Sequence, residues 1–230
     1  MVRQKITMLK KIVVVSPHPD DETLGCGATL LKLKDQGSQI HWLNVTNMKK
    51  EYGFAPARVS QRQKEIAMVK QAYRFDDFID LGLEPAGLDV YPCKSLVEKI
   101  VKVFADIEPD SVFLPFCDDA HSDHRVVFAA AYNCIKSFRF PSVAKVLMYE
   151  TLSETDFAPA INGRVFVPQV FSDITEQLEK KIKIMKIYKS EIHPHPFPRS
   201  EENIRALATL RGSVLGAKYA EAFMVLKDRI

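Results

Sequence analysis

Two short stretches of this chain gather side chains that bind metal ions and move protons. They are SPHPDDE, with His18, Asp20, Asp21 and Glu22, and DDAHSDH, with Asp118, Asp119, His121, Asp123 and His124. Two imidazoles and one carboxylate are the ligand count of a catalytic zinc, whose fourth position holds a water with its pKa lowered to roughly 7. A carboxylate left over can act as general base, and a spare imidazole can steady an oxyanion or protonate a leaving group. The two stretches supply both spares. A single His-x-x-His run is more often a capping or surface feature. Two polar clusters, each directly behind a proline-stopped apolar strand, turn the balance towards a metal. The same ligand types also suit Fe(II).

The elements that must position these groups follow from hydropathy and punctuation. Ile12-Val13-Val14-Val15 has the pattern of a strand buried on both faces, and Pro17 and Pro19 end it. Thr23–Gln36 reads as a helix stopped at Gly37, with Gly25 and Gly27 suited to close packing on the sheet. Asp20 and Asp21 stand where a helix cap and a site would equally place them. Further strands are predicted at Gln39–Thr46, Phe78–Leu81, Ser111–Leu114 and Lys145–Tyr149. Helices are predicted over Val59–Ala72, from a Ser95 cap through Phe104, and from about His124 to Ile135. Beyond about Thr151 the pattern is less regular. It holds an edge strand within Arg164–Ser172, a Thr175-capped basic helix to Tyr188 with Lys180, Lys181 and Lys183 on a solvated face, a Ser200-capped helix to about Leu215, and a last edge strand at Ala222–Leu226.

This alternation predicts an α/β three-layer sandwich with a mostly parallel sheet, one domain over residues 1–230, and an irregular C-terminal portion. In the usual doubly wound order the first and fourth strands are neighbours, and ligands bind beyond their carboxyl ends. Those strands precede the two polar stretches. His18, Asp20, Asp21, His121, Asp123 and His124 are therefore predicted to converge.

Composition narrows the rest. With 32 basic against 29 acidic residues and a net charge of +3, the chain lacks the basic excess of a nucleic-acid or membrane-surface binder. No apolar run approaches the roughly 18 residues of a membrane span, and the N-terminal one is too short for a signal peptide. Cys26, Cys93, Cys117 and Cys134 form no Cys-x-x-Cys pair and read as free thiols, so a cytoplasmic location is expected.

SPHPDDETLGCGATL resembles the signature of the PIG-L/LmbE-like zinc-dependent N-deacetylases, and His121-Ser122-Asp123-His124 resembles their second motif. RQKEIA at Arg62–Ala67, the segment Lys186–Glu191 and RGSVLGAKYAEAF at Arg211–Phe223 extend the resemblance over most of the chain. The resemblance implies a Rossmann-like fold and removal of the N-acetyl group from an N-acetylglucosamine-type sugar, nucleotide sugar or glycolipid by attack of a metal-bound water. It implies that His18, Asp21 and His124 hold the metal and that Asp20 is the general base. His121 would stabilise the tetrahedral intermediate, Asp123 would orient an imidazole beside it, and Arg62 would reach a substrate hydroxyl or phosphate unless it pairs with Glu65.

Two departures stand out: Ser122 where proline is frequent, and Tyr188 and Glu191 where many members have histidine and glutamine. Tyr188 is a candidate phenolic donor to the oxyanion or else a core aromatic. Glu22 is left without a role, His193 and His195 fit a rigid surface turn better than a gate, and His41 fits a satisfied core position. The competing functions are metal-dependent hydrolysis of another amide or a phosphoester, and a non-catalytic metal-binding protein of the same fold. A homo-oligomer is compatible with all of them.

Overall fold

A computed structural model describes residues 9–161 and 163–229. Its strands are β1 (Lys11–Ser16), β2 (Gln39–Thr46), β3 (Asp77–Leu83), β4 (Ser111–Pro115), β5 (Lys145–Tyr149), β6 (Val170–Asp173) and β7 (Ala220–Asp228). The helices are α1 (Asp21–Asp35), α2 (Pro56–Tyr73), α3 (Cys93–Ile107), α4 (Ser122–Cys134), α5 (Leu178–Met185) and α6 (Glu201–Leu215). The strands form one sheet in the order β3-β2-β1-β4-β5-β7-β6. β1 to β5 pair in parallel, and β7 runs antiparallel to both β5 and β6.

β1 is apolar without interruption because both faces of the sheet are covered. Ile12 and Val14 join a core with Leu30, Trp42, Tyr73 and Phe223 beneath α1, α2, α5 and α6. Val13 and Val15 join the other core with Leu43, Leu96, Ile100, Phe104 and Val127 beneath α3 and α4. All four side chains are fully buried, each contributing roughly 1.5–3 kcal/mol of apolar burial. The order of the sheet reverses at β1, whose Ile12, Val13 and Val14 pair with Ser111, Val112 and Phe113 of β4. The crevice predicted beyond these two strands is therefore present.

α1 lies close to its neighbours, as its glycines suggest. A Cβ on Gly25 would fall 2.1 Å from Tyr149 Cδ2, and one on Gly27 would fall 2.2 Å from the Tyr73 hydroxyl. Tyr149 in turn donates to the Val15 carbonyl at 2.8 Å, tying β5 to the end of β1.

Four local expectations are corrected. β7 is not an edge strand: it lies between β5 and β6, because Val170–Asp173 pairs along its outer side. α3 starts two residues before Ser95, with Pro92 as its cap residue and no side-chain cap. Thr175 does not cap α5, which runs only from Leu178 to Met185; its hydroxyl bonds Asp173. Lys181 is not on a solvated face, since it is buried and donates to Glu221 and to the Leu24 carbonyl, both at 2.7 Å. Ser200 does cap α6, accepting from the Asn203 N–H at 3.2 Å. No described helix is long and apolar enough to cross a membrane.

Candidate active site

A cavity of about 230 Å³ opens beyond the carboxyl ends of β1 and β4. His18, Asp20, Asp21, His121 and His124 all line it, with Asn47 and Met48 after β2, Pro85 and Ala86 after β3, Glu154 after β5, and Arg62, Glu191 and Arg199. The loops after β2, β3 and β5 thus each contribute to its wall.

On its floor, Asp21 Oδ2 lies 3.3 Å from His18 Nδ1 and 3.3 Å from His124 Nε2. Ligands ~2.0–2.1 Å from a tetrahedral zinc sit about 3.3 Å from one another, so the donor set fits such an ion. Each imidazole is held from its other nitrogen by a buried carboxylate. His18 Nε2 is 3.0 Å from Asp123 Oδ2, and His124 Nδ1 is 2.8 Å from Asp119 Oδ2. Carboxylates placed behind ligating histidines fix the tautomer and ring orientation. The Thr155 hydroxyl donates to Asp119 at 2.5 Å, completing that support.

Asp123 therefore orients His18. The imidazole of His121 it meets only through its backbone N–H, which donates to His121 Nδ1 at 3.0 Å and makes that ring the cap of α4. His18, His121 and Asp123 also have donor atoms within 4.8 Å of one another. Asp123 Oδ2, however, already accepts from the Ala86 N–H at 2.7 Å, and Oδ1 from the Leu88 N–H at 3.2 Å, the environment of an orienting group. A backbone N–H can only donate, so Nδ1 of His121 is unprotonated and Nε2–H is its donor to the cavity. Burial and the neighbouring His18 lower its pKa, which favours this neutral form.

The charges at the floor favour a cation. Against the burial that opposes them, Asp123 and Asp21 push His18 up to about 9. Asp21 and Asp119 likewise raise His124 well above its ordinary value. Asp21 moves the other way, held low by His124 and His18 despite its burial. The potential that draws protons onto both rings is the one a divalent ion would feel.

Asp20 has a different environment. It precedes α1 but makes no side-chain cap bond, and among the described residues no protein donor occupies its carboxylate. Burial, with the Asp21 and Glu191 charges, pushes its pKa well above the carboxylate range, and Arg199 and Arg62 pull it back. That is the tuning a general base needs. Its φ of 138° is strained for a residue with a side chain. Glu22 secures this backbone: Oε2 accepts the Asp20 N–H at 3.1 Å, and Oε1 accepts from Thr23 at 2.7 Å and Tyr188 at 3.0 Å.

Tyr188 is thereby corrected as an oxyanion donor. It is fully buried behind the cavity, and its hydroxyl is spent on Glu22. Arg62 does line the cavity, but it faces Glu65 at 3.4 Å and bonds Glu191, Ser190 and the Pro19 carbonyl. His193 and His195 lie in an exposed turn and do not line the cavity. His41 is only half satisfied: Nδ1 meets Asp77 at 2.7 Å while its buried Nε2 has no partner. Cys26, Cys93, Cys117 and Cys134 are free.

Asp119, Glu154 and Arg199 are site residues that the sequence did not single out. Asp119 had a signal, lying five residues before a candidate ligand in the same polar run; the other two had none.

The family model described as PIG-L, GlcNAc-PI de-N-acetylase, matches residues 13–135. The diacetylchitobiose deacetylase of Thermococcus kodakarensis is 21% identical over 227 residues, covering 96% of this chain and 84% of the relative. Among solved structures, the conserved protein TT1542 from Thermus thermophilus is 26% identical, with a TM-score of 0.74 and 97% of each chain covered. The N,N'-diacetylchitobiose deacetylase from Pyrococcus horikoshii shares the fold at 20% identity, with a TM-score of 0.75 over 99% of this chain and 87% of that one. The matched region runs from within β1 through α4, with every residue of the floor, and spans more than half of the sequence: the chain belongs to the PIG-L family.

Proposed function

We propose that this chain, working as a single domain, is a metal-dependent N-deacetylase that hydrolyses the acetamide of an N-acetylglucosamine-type sugar. Zinc is the ion expected first. The observation that carries this reading is the pair of 3.3 Å spacings from Asp21 to His18 and His124, each ring backed by its own carboxylate. When bound, the metal would polarise the acetamide carbonyl and acidify a water.

The protein groups divide the remaining work. Asp20 takes the proton of the attacking water and, once protonated, can deliver it to the departing amine. His121 offers its Nε2–H to the oxygen on which negative charge develops, a contribution that grows in a water-poor cavity. Asp123 and Asp119 hold the ligand rings so that nothing reorganises during the step. Glu22 keeps Asp20 in its strained backbone geometry. The names of the T. kodakarensis relative and of the matching family supply the acetamido sugar.

Metal analysis combined with acetate release across N-acetylated sugars, nucleotide sugars and glycolipids tests this reading. Acetate from at least one, abolished by chelation and restored by zinc, is expected. Full metal occupancy with no acetate from any would contradict it.

A further inference from the structure

The cavity carries two arginines, and both are already spoken for. Arg62 gives Nη1 to the Pro19 carbonyl at 2.9 Å and Nη2 to Ser190 at 3.0 Å and to Glu191, while its Nε faces Glu65 at 3.4 Å. Arg199 gives Nε to the Glu191 carbonyl at 3.0 Å, Nη1 to Ser153 at 3.0 Å and Nη2 to Glu191 Oε2 at 3.2 Å. The Glu191 carboxylate thus bridges two guanidiniums, each of whose nitrogens lies within hydrogen-bond or ion-pair reach of a protein oxygen. Burial would raise the Glu191 pKa, but Arg62 foremost, with Arg199, holds it below its ordinary value, so it is charged. Glu154 adds a second carboxylate to the lining, and among the described residues no other lysine or arginine faces the cavity. Lys49, next in sequence to the rim residue Met48, pairs with Glu51 at 3.5 Å and lies over the Tyr52 ring.

An anionic group entering here would meet Glu191 and Glu154, and would find both guanidiniums already paired with Glu191. Like charges set against each other in a binding site cost several kcal/mol. Capturing Arg62 or Arg199 would strip Glu191 of its partners and leave a half-buried charge unpaired. Hydroxyls and amines, in contrast, donate readily to carboxylates. We infer that this cavity selects N-acetylated amino sugars whose other substituents are neutral hydroxyls or amines, and discriminates against phosphate, nucleotide and carboxylate groups. The inference rests on the deacetylase reading of the same cavity, and Glu191 is its specificity-determining residue.

Binding calorimetry on zinc-loaded Asp20→Asn protein would compare N,N'-diacetylchitobiose with N-acetylglucosamine 6-phosphate and UDP-N-acetylglucosamine. The neutral sugar is expected to bind at least about tenfold more tightly, equivalent to ~1.4 kcal/mol. Glu191→Gln in the same background keeps the shape and frees the guanidiniums, so the gap should shrink by about tenfold, chiefly through tighter binding of the anionic sugars. Should that variant fail to fold, Glu154→Gln changes the charge in the same direction and should narrow the gap by a smaller factor. Equal or tighter binding of an anionic sugar, no binding of any sugar, or a ratio unmoved by the folded variant would overturn the inference. Acetate release by the unaltered protein reports separately: the expected binding order without hydrolysis supports the selectivity and removes the deacetylase reading.

Discussion

At the floor of the cavity, His18, Asp21 and His124 come from two adjacent strand ends, and the carboxylates behind them, Asp123 and Asp119, belong to the same short β4–α4 stretch. At the rim, Arg62 of α2, Glu154 after β5, and Glu191 and Arg199 of the α5–α6 connection come from three separate segments that meet only through tertiary packing. The floor is over-determined: each ring is fixed from both sides and every supporting carboxylate is buried. The rim is a charge network in which one glutamate decides what two arginines can do. Chemistry is thus built where the fold leaves little freedom, and selectivity where single substitutions can change the charge without disturbing the sheet.

The largest expected effect is at the floor. His124→Ala should lose the metal and bring acetate release to background; metal analysis showing full occupancy would break the ligand assignment. Next comes the layer behind it. Asp119→Ala leaves the ligands in place but frees the His124 ring, so metal affinity should weaken by roughly 10–100-fold, measured by competition with a chelator. Unchanged affinity would mean that the floor is less constrained than its geometry implies. Gly25→Ala tests the scaffold common to both regions. With 2.1 Å between the new methyl and the Tyr149 ring, denaturant titration should show a loss of about 1–3 kcal/mol.

The smallest effect is expected at neither region. Asp76 accepts from Lys34 at 2.5 Å and from the Ile40 N–H at 2.6 Å; desolvation opposes the charged form, but together these bonds and the Lys34 charge lower its pKa. A carboxyl depressed on folding contributes stability above its unfolded pKa and loses it as pH falls through the folded one. Asp76→Asn should therefore flatten the acid limb of the stability curve slightly while leaving metal binding untouched.

Legibility followed the same division. The apolar run Ile12–Val15, the prolines after β1 and the two polar stretches are local signals, and the strand order that joins them follows from the alternation of elements. They were enough to bring His18, Asp20, Asp21, His121 and His124 to one crevice. Hydropathy does not report partners, so Lys181 read as a solvated lysine although Glu221 awaits it in the core, and Tyr188 read as an oxyanion donor or a core aromatic although its hydroxyl donates to Glu22. β7 read as an edge because nothing within it reports that Val170–Asp173 pairs along its outer side, whereas Pro168, two residues before that strand, does mark β6 as the edge. Glu154 and Arg199 carry no pattern of their own, and only the packing of the C-terminal segments brings them to the rim.

The division of labour between ligands and base is tested most directly by Asp20→Asn, assayed for metal content and acetate release on one preparation. Metal should stay at the level of the unaltered protein while turnover falls by roughly two to four orders of magnitude, as for loss of a general base. Normal turnover with metal in place would contradict the assignment of Asp20, and loss of the metal would show that Asp20 belongs to the ligand set.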